Sequence, residues 1–282
     1  MNIGSKILEV RSLVKYWKKE GLSVGLVPTM GYLHEGHLSL IKKCKEENDK
    51  VVVSIFVNPT QFGENEDLSS YPKDLKADSA LCKAAGVDLI FNPSSEEMYI
   101  DPCAYVNINN LSKNLCGKSR PIHFKGVCTI VSKLLNIVTP DRAYFGEKDA
   151  QQLAIIKKMV KDLNFDVKIV GCPIVREKDN LAKSSRNFYL NEEERQAALV
   201  LSKALELGKD YLKKDNNVNH LKEVIVNKIN SEPLAKIDYV EVVDSLSIEP
   251  VSEIKKDILV AVAVYIGNTR LIDNFTFNGG KR

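Results

Sequence analysis

The sequence predicts an α/β fold: a Rossmann-like doubly wound parallel sheet, followed by a smaller α+β C-terminal domain. Three observations carry that expectation. Short strand-like runs recur at 24–27, 51–57, 87–91, 143–145 and 166–170, and the one at 51–57, continuous and β-branched, suits a strand covered on both faces. Segments with apolar residues at helical spacing separate them. Such alternation favours parallel strands joined by right-handed crossovers. Beyond residue 180 the pattern changes to helices and then strands. We therefore expect one domain over 1–180 and a second, lid-like one over 181–282, with the boundary near Leu181 in a charged linker.

In chain order, residues 1–20 read as an amphipathic, lysine-rich helix. The strand at 24–27 leads through a turn into a helix marked by Leu38, Ile41 and Cys44. The strand at 51–57 ends in a polar loop, Asn58-Pro59-Thr60-Gln61-Phe62-Gly63. Pro72 suits a helix start, and that helix runs to Gly86. The stretch 94–120 shows no period of either kind. Residues 126–138 form a helix with Val127, Ile130, Val131, Leu134, Leu135 and Val138 on one face. The strand at 143–145 opens into a loop at 146–149, and a helix follows from Ala150. Asn191 with Glu194 three residues on is a capping pair introducing two helices. Strands at 239–243, 258–266 and 270–277 close the chain, the last two joined by a Gly267-Asn268 turn.

Composition narrows the function class. The 282 residues carry a formal charge of +3 with 27% charged residues of both signs, too little and too dispersed for a nucleic-acid partner. The six cysteines (44, 82, 103, 116, 128 and 172) show no paired or metal-finger spacing. Read as reduced thiols, they fit a cytoplasmic protein. No apolar run reaches membrane-spanning length, so no membrane partner is expected.

The turn between the first apolar strand and its helix reads Pro28-Thr29-Met30-Gly31-Tyr32-Leu33-His34-Glu35-Gly36-His37. A strand-to-helix turn at the carboxyl edge of a parallel sheet offers unpaired N–H groups and the positive end of a helix dipole, a place for an anion. His34 and His37, three residues apart, share a helix face. They fit three readings: capping or core histidines, a zinc site, or two donors to phosphate oxygens. Helical zinc ligands are spaced four apart with a glutamate base, which this turn lacks. Gly36 lets a flat ligand approach the backbone and favours the phosphate reading.

Other polar loops also fall at strand carboxyl ends, where loops distant in sequence converge. They hold Asn58 and Gln61; the stretch 146–152; and Lys183-Ser184-Ser185-Arg186-Asn187. Lys148 and Arg186 supply positive charge and the serines supply donors. Gln61 and Gln152 are neutral hydrogen bonders for hydroxyls and a carboxylate, whereas Gln151 reads as a surface residue.

His-x-Gly-His after a strand resembles the signature of the nucleotidyl-transferring superfamily that includes class I aminoacyl-tRNA synthetases. The longer string from Val27 to His37 is similar to that of the pantothenate synthetase (pantoate–β-alanine ligase) family, as are Phe56-Val57-Asn58-Pro59-Thr60-Gln61-Phe62, Phe145-Gly146-Glu147-Lys148-Asp149-Ala150-Gln151-Gln152 and Ser184-Ser185-Arg186-Asn187. The resemblance runs from about Val27 to Leu190 and weakens beyond. It implies that Met30, Gly31, Tyr32, Leu33, His34, Glu35, Gly36 and His37 line ATP, with the histidines on its phosphates. Gly146, Glu147, Lys148 and Asp149 would contact the nucleotide, Val175 the adenine, and Lys183, Ser184, Ser185 and Arg186 the phosphates. His37, His34, Lys148 and Arg186 would carry catalysis; Gln61, Gln152 and Asn58 would bind substrate. Thr60 stands where the family often has methionine, Asn180 where it often has glycine, and Lys183 where an apolar residue is frequent.

The implied reaction is ATP-dependent ligation of (R)-pantoate and β-alanine to pantothenate through pantoyl-adenylate, with release of AMP and pyrophosphate. Its needs would be ATP as substrate and Mg²⁺ on the phosphates, with no protein residues assigned as metal ligands. Family resemblance also implies a homodimer formed through the N-terminal domain. Two alternatives are a nucleotidyltransferase of the same architecture and a non-catalytic ATP sensor; a small tRNA synthetase is disfavoured by the lack of a basic face.

Overall fold

The computed structural model describes residues 1–64 and 66–279. Its chain divides into two compact units: one of residues 1–108, 120–147 and 155–173, the other of 109–119, 148–154 and everything from Ile174 on. The expected boundary residue Leu181 lies inside the second unit.

The first unit is built on a six-stranded parallel sheet of β1 (Asn2–Gly4), β2 (Val24–Thr29), β3 (Lys50–Ile55), β4 (Leu89–Phe91), β5 (Arg142–Gly146) and β6 (Lys168–Cys172), in the order β1-β4-β3-β2-β5-β6. Successive strands step outward from β2 on one flank, and β5 and β6 then return on the other. That reversal is a topological switch point, where α/β sheets bind ligands. Val51, Val52 and Val53 of β3 are wholly buried, as the unbroken β-branched run requires. Pro28 lies in central β2, but β5 pairs only with Gly25 and Leu26, so its missing N–H interrupts no ladder bond to β5.

The helices are α1 (Ile7–Lys19), α2 (Glu35–Glu47), α3 (Leu75–Ala84), α4 (Ser95–Met98), α5 (Cys116–Ser119), α6 (His123–Val138), α7 (Ala150–Asp162), α8 (Glu192–Ala197), α9 (Leu199–Leu212) and α10 (Val218–Asn230). The single helix expected over 1–20 is corrected: Asn2–Gly4 pairs with Leu89–Phe91 as an edge strand, and α1 begins at Ile7. α1 buries Val10, Val14 and Trp17, one stripe at helical spacing. α2 packs against β2 at Gly25, where a Cβ would lie 2.3 Å from Cys44 Sγ; only glycine permits that approach.

In the second unit, β7 (Ala235–Asp244), β8 (Ile258–Ile266) and β9 (Thr269–Phe277) form an antiparallel sheet in that order. Helices α9 and α10 share its core, with Leu201, Leu205, Leu221 and Ile225 among Val240, Val242, Val260, Val262 and Val264. The Asn191–Glu194 capping pair forms as expected, opening α8. Three helices follow it rather than two, because the helical run is interrupted by a turn at Ala198. Among the described residues no helix is long and apolar enough to cross a membrane.

Candidate active site

In the first unit the β2–α2 turn is shaped by its own polar atoms. Thr29 Oγ1 donates to the Ser54 carbonyl at 2.7 Å and accepts from the Gly31 N–H at 3.2 Å. Gly31 and Tyr32 then take left-handed backbone, φ +88° and +53°, which glycine tolerates and tyrosine does so only under constraint. The constraint is Asp78 on α3, a residue that sequence reasoning missed. Its carboxylate accepts the Tyr32 N–H at 2.9 Å and the Leu33 N–H at 2.7 Å. Burial pushes the Asp78 carboxyl up, against the opposing pull of those two N–H groups.

The turn delivers His34 as the N-cap of α2. Its Nδ1 accepts from the Gly36 N–H at 3.1 Å, while His37 Nδ1 accepts from the His34 N–H at 3.3 Å. The rings lie 4.1 Å apart between centroids. A nitrogen that accepts cannot carry the proton, so each neutral ring holds its hydrogen on Nε2. The capping and donor readings of these histidines are therefore compatible: Nδ1 serves the helix end, and Nε2–H is the ring's donor. Glu35 and Gly36 form the first turn beside the positive end of the helix dipole.

The loop after β3 meets the same turn. Gln61, in the one-turn helix Pro59–Gln61, directs Nε2 to Met30 Sδ at 3.1 Å. Asn58 is buried behind it, with Nδ2 donating to Gln61 Oε1 at 3.1 Å and to the Gly126 carbonyl at 3.2 Å. His123 Nδ1 lies 3.0 Å from the Gln61 carbonyl. Arg120, paired with Glu66 through Nε at 2.7 Å, reaches the same carbonyl at 3.5 Å. Gly146 ends β5, paired with Cys172, and Glu147 follows it.

In the second unit, strand β9 organises the remaining residues. Asn274 Nδ2 donates to the Lys148 carbonyl at 2.8 Å, fixing the turn that carries Lys148 and Asp149. Its neighbour Asp273 receives Arg176 through two hydrogen bonds of 2.7 and 2.9 Å. Arg176 begins a tight hairpin in which Lys183 N–H donates to the Val175 carbonyl at 2.9 Å. Asn180 makes the bend with φ +72°, a conformation asparagine tolerates in place of glycine. Ser184 caps the next turn by accepting the Arg186 N–H at 3.2 Å, and Ser185 and Arg186 open that turn. Glu177 ties it down, accepting from Asn187 at 3.2 Å and Arg195 at 2.7 Å, with Lys183 Nζ 3.8 Å away.

Gln152 is half-buried on α7. Gln151 is corrected from a surface residue to a buried one, donating to the Leu111 and Asn114 carbonyls at 2.8 and 2.7 Å. The structure thus brings Met30, His34, His37 and Gln61 together within the first unit, and Lys148, Val175 and Lys183–Arg186 onto segments braced by β9 in the second. Asp78, Asp273 and Asn274 escaped sequence reasoning. The signal available for the last two was a pair of polar residues inside an apolar strand.

A family model described as pantoate-beta-alanine ligase matches residues 2–276. The pantothenate synthetase of Clostridioides difficile (strain 630) is 63% identical over 270 residues, covering 95% of this chain and 96% of that protein. That of Clostridium botulinum (strain ATCC 19397 / Type A) is 61% identical over 279 residues, 98% and 99% of the two chains. Among solved structures, pantothenate synthetase from Thermus thermophilus superposes with a TM-score of 0.91 at 42% identity, covering 98% of this chain and 99% of that one. Pantoate-beta-alanine ligase from Francisella tularensis, complexed with beta-gamma ATP and beta-alanine, gives a TM-score of 0.81 at 40% identity, covering 98% and 97%. With the histidine turn, the glutamine loop and the serine–arginine turn all present, and similarity running nearly end to end, the chain belongs to the pantoate–beta-alanine ligase family.

Proposed function

We propose that the chain joins (R)-pantoate to β-alanine in two steps driven by ATP. A pantoate carboxylate oxygen attacks the α-phosphorus and pyrophosphate leaves, giving pantoyl-adenylate. The amine of β-alanine then attacks the acyl carbon, and AMP departs with the electron pair of the broken C–O bond as pantothenate forms. No enzyme side chain needs to be bonded covalently, so catalysis is positioning plus stabilisation of developing phosphate charge.

The observation that carries this reading is the histidine turn, where the capping role of both Nδ1 atoms leaves Nε2–H as donor beside a helix N-terminus. In the proposal Met30 to His37 line ATP, and Gly146 to Asp149 contact the nucleotide. Val175 faces the adenine. Lys148, Arg186, Lys183, Ser184 and Ser185 serve the phosphates, and Gln61 and Gln152 hold pantoate. ATP as substrate agrees with the nucleotide in the Francisella tularensis complex.

For Mg²⁺, no group of three or more His, Cys, Asp or Glu side chains among the described residues is placed to hold a metal ion. An ion carried mainly by phosphate and water would need no such group. When bound, it would neutralise phosphate charge, and Lys148 and Arg186 would share that task. A homodimer formed through the first unit and a cytoplasmic location belong to the same proposal; a monomer mass in light scattering would remove the former.

The test is pyrophosphate release from ATP and Mg²⁺ with pantoate, with and without β-alanine, and mass analysis of the product. Release that requires pantoate, and turns over continuously only with β-alanine, is expected. Turnover indifferent to β-alanine would favour a nucleotidyltransferase. Bound ATP without release would favour a sensor.

A further inference from the structure

Behind Gln61 runs a chain of hydrogen bonds whose direction is fixed by one atom. The Gly126 carbonyl can only accept, so the Asn58 amide atom 3.2 Å from it must be Nδ2. The same Nδ2 faces Gln61 at 3.1 Å, which makes that partner Oε1 and leaves Nε2 as the other end of the Gln61 amide. The opposite end of Asn58 is then Oδ1, and it receives two hydroxyls: Tyr99 at 2.7 Å and Thr60 Oγ1 at 3.0 Å. Asn58 is 1% exposed and Gln61 8%, so water does not offer either amide a ready alternative. Burial pushes the Tyr99 phenol up, which keeps it a donor at neutral pH.

We propose that the Gly126 carbonyl, acting through Asn58, sets the polarity of the Gln61 amide, and that Tyr99, with Thr60, is a positioning residue that holds Asn58 in that orientation, so that Gln61 meets its ligand with N–H and never with C=O. The proposal rests on the reading of Gln61 as a pantoate-binding residue and adds to it a specificity rule. The ligand group at Gln61 must accept a hydrogen bond. A hydroxyl or carboxylate oxygen satisfies the rule; an ammonium at the same place faces a second donor and loses its water without compensation. The pocket would thereby take a hydroxy acid and refuse the corresponding amino acid. Neither hydroxyl needs to touch the ligand, since each acts through Asn58.

The test compares wild type with Tyr99→Phe, Thr60→Val and the double variant. It measures KM for pantoate and for ATP by pyrophosphate release, and the preference for pantoate over its 2-amino analogue. Wild-type turnover with pantoate checks the underlying reading first; its failure would remove that reading and not the hydrogen-bond chain. Given turnover, Tyr99→Phe is expected to raise the pantoate KM on the order of tenfold, the effect of one lost hydrogen bond to a buried carbonyl, while the ATP KM and kcat hold. Thr60→Val should show a smaller rise of the same kind, and it remains informative if Tyr99→Phe does not fold. The double variant should show the largest rise and a reduced preference for the hydroxy acid. An unchanged pantoate KM and preference in all three, or equal rises in both KM values, would overturn the proposal.

Discussion

Gly126 on α6 and the Thr60 carbonyl are in contact across the two elements: a Cβ on Gly126 would lie 2.4 Å from Thr60 O and 2.6 Å from Gln61 Cα. Alanine inside a helix ordinarily gains about 1 kcal/mol over glycine. Here the added methyl meets backbone, which cannot rotate aside, and overpacking of about 1–3 kcal/mol opposes that gain. Gly126→Ala is expected to lower stability in urea by roughly 1 kcal/mol and to raise the pantoate KM more than the ATP KM. A more stable variant would mean that the loop yields.

His37→Ala removes an Nε2–H donor from the turn. Adenylate formation is expected to fall by a factor on the order of 10²–10³, as for other preorganised donors. In ¹⁵N spectra of the wild type, both His34 and His37 should read as protonated at Nε2 and bare at Nδ1. Near wild-type pyrophosphate release from a folded variant would remove His37 from the mechanism.

Glu66 gives the chain a defined acid sensitivity. Burial alone would raise its carboxyl, but the hydrogen bond and charge of Arg120, with the Gly63 N–H, bring it below the ordinary 4.5. A carboxyl lowered in the folded state contributes stability above its unfolded value, and that stability is lost as pH falls through the folded one. Urea melts across this range should show wild type losing stability below about pH 4.5. Glu66→Gln should be less stable at neutral pH and lose less on acidification. Parallel profiles for the two proteins would contradict the assignment.

The thiols make an independent check on the core. All six cysteines are free; only Cys103 is exposed. Burial pushes Cys44, Cys82 and Cys128 up to about 12 and Cys172 to about 11, so little reactive thiolate forms at neutral pH. One fast-reacting thiol is expected in the native protein and six after denaturation. Cys103→Ser should abolish the fast phase. Several fast thiols would show that the core opens.

What the sequence revealed and what it concealed divide along the reach of the interactions. The histidine turn was legible because strand, glycine pair and helix lie within a single stretch, and its capping bonds span two or three residues. The runs at 51–57 and 258–266 declared themselves by β-branched content. Asn2–Gly4 did not, since three residues carry no period and become a strand only by pairing with Leu89–Phe91. Asp78 was equally silent: its bonds to Tyr32 and Leu33 join α3 to a loop distant in sequence. Asp273 and Asn274 acquire their roles from Arg176 and Lys148, again far along the chain.

The strand order has a kinetic side. β2, which carries the histidine turn, gains β3 soon after it is made, but its other neighbour, β5, pairs Arg142 with Gly25 across more than half of the first unit's sequence. Closing so long a loop carries a large entropic cost before any contact repays it, and such non-local pairings slow folding. A growing chain would therefore expose the apolar flank of β2 until β5 emerged. That interval is when the protein would be most open to aggregation and most dependent on chaperones.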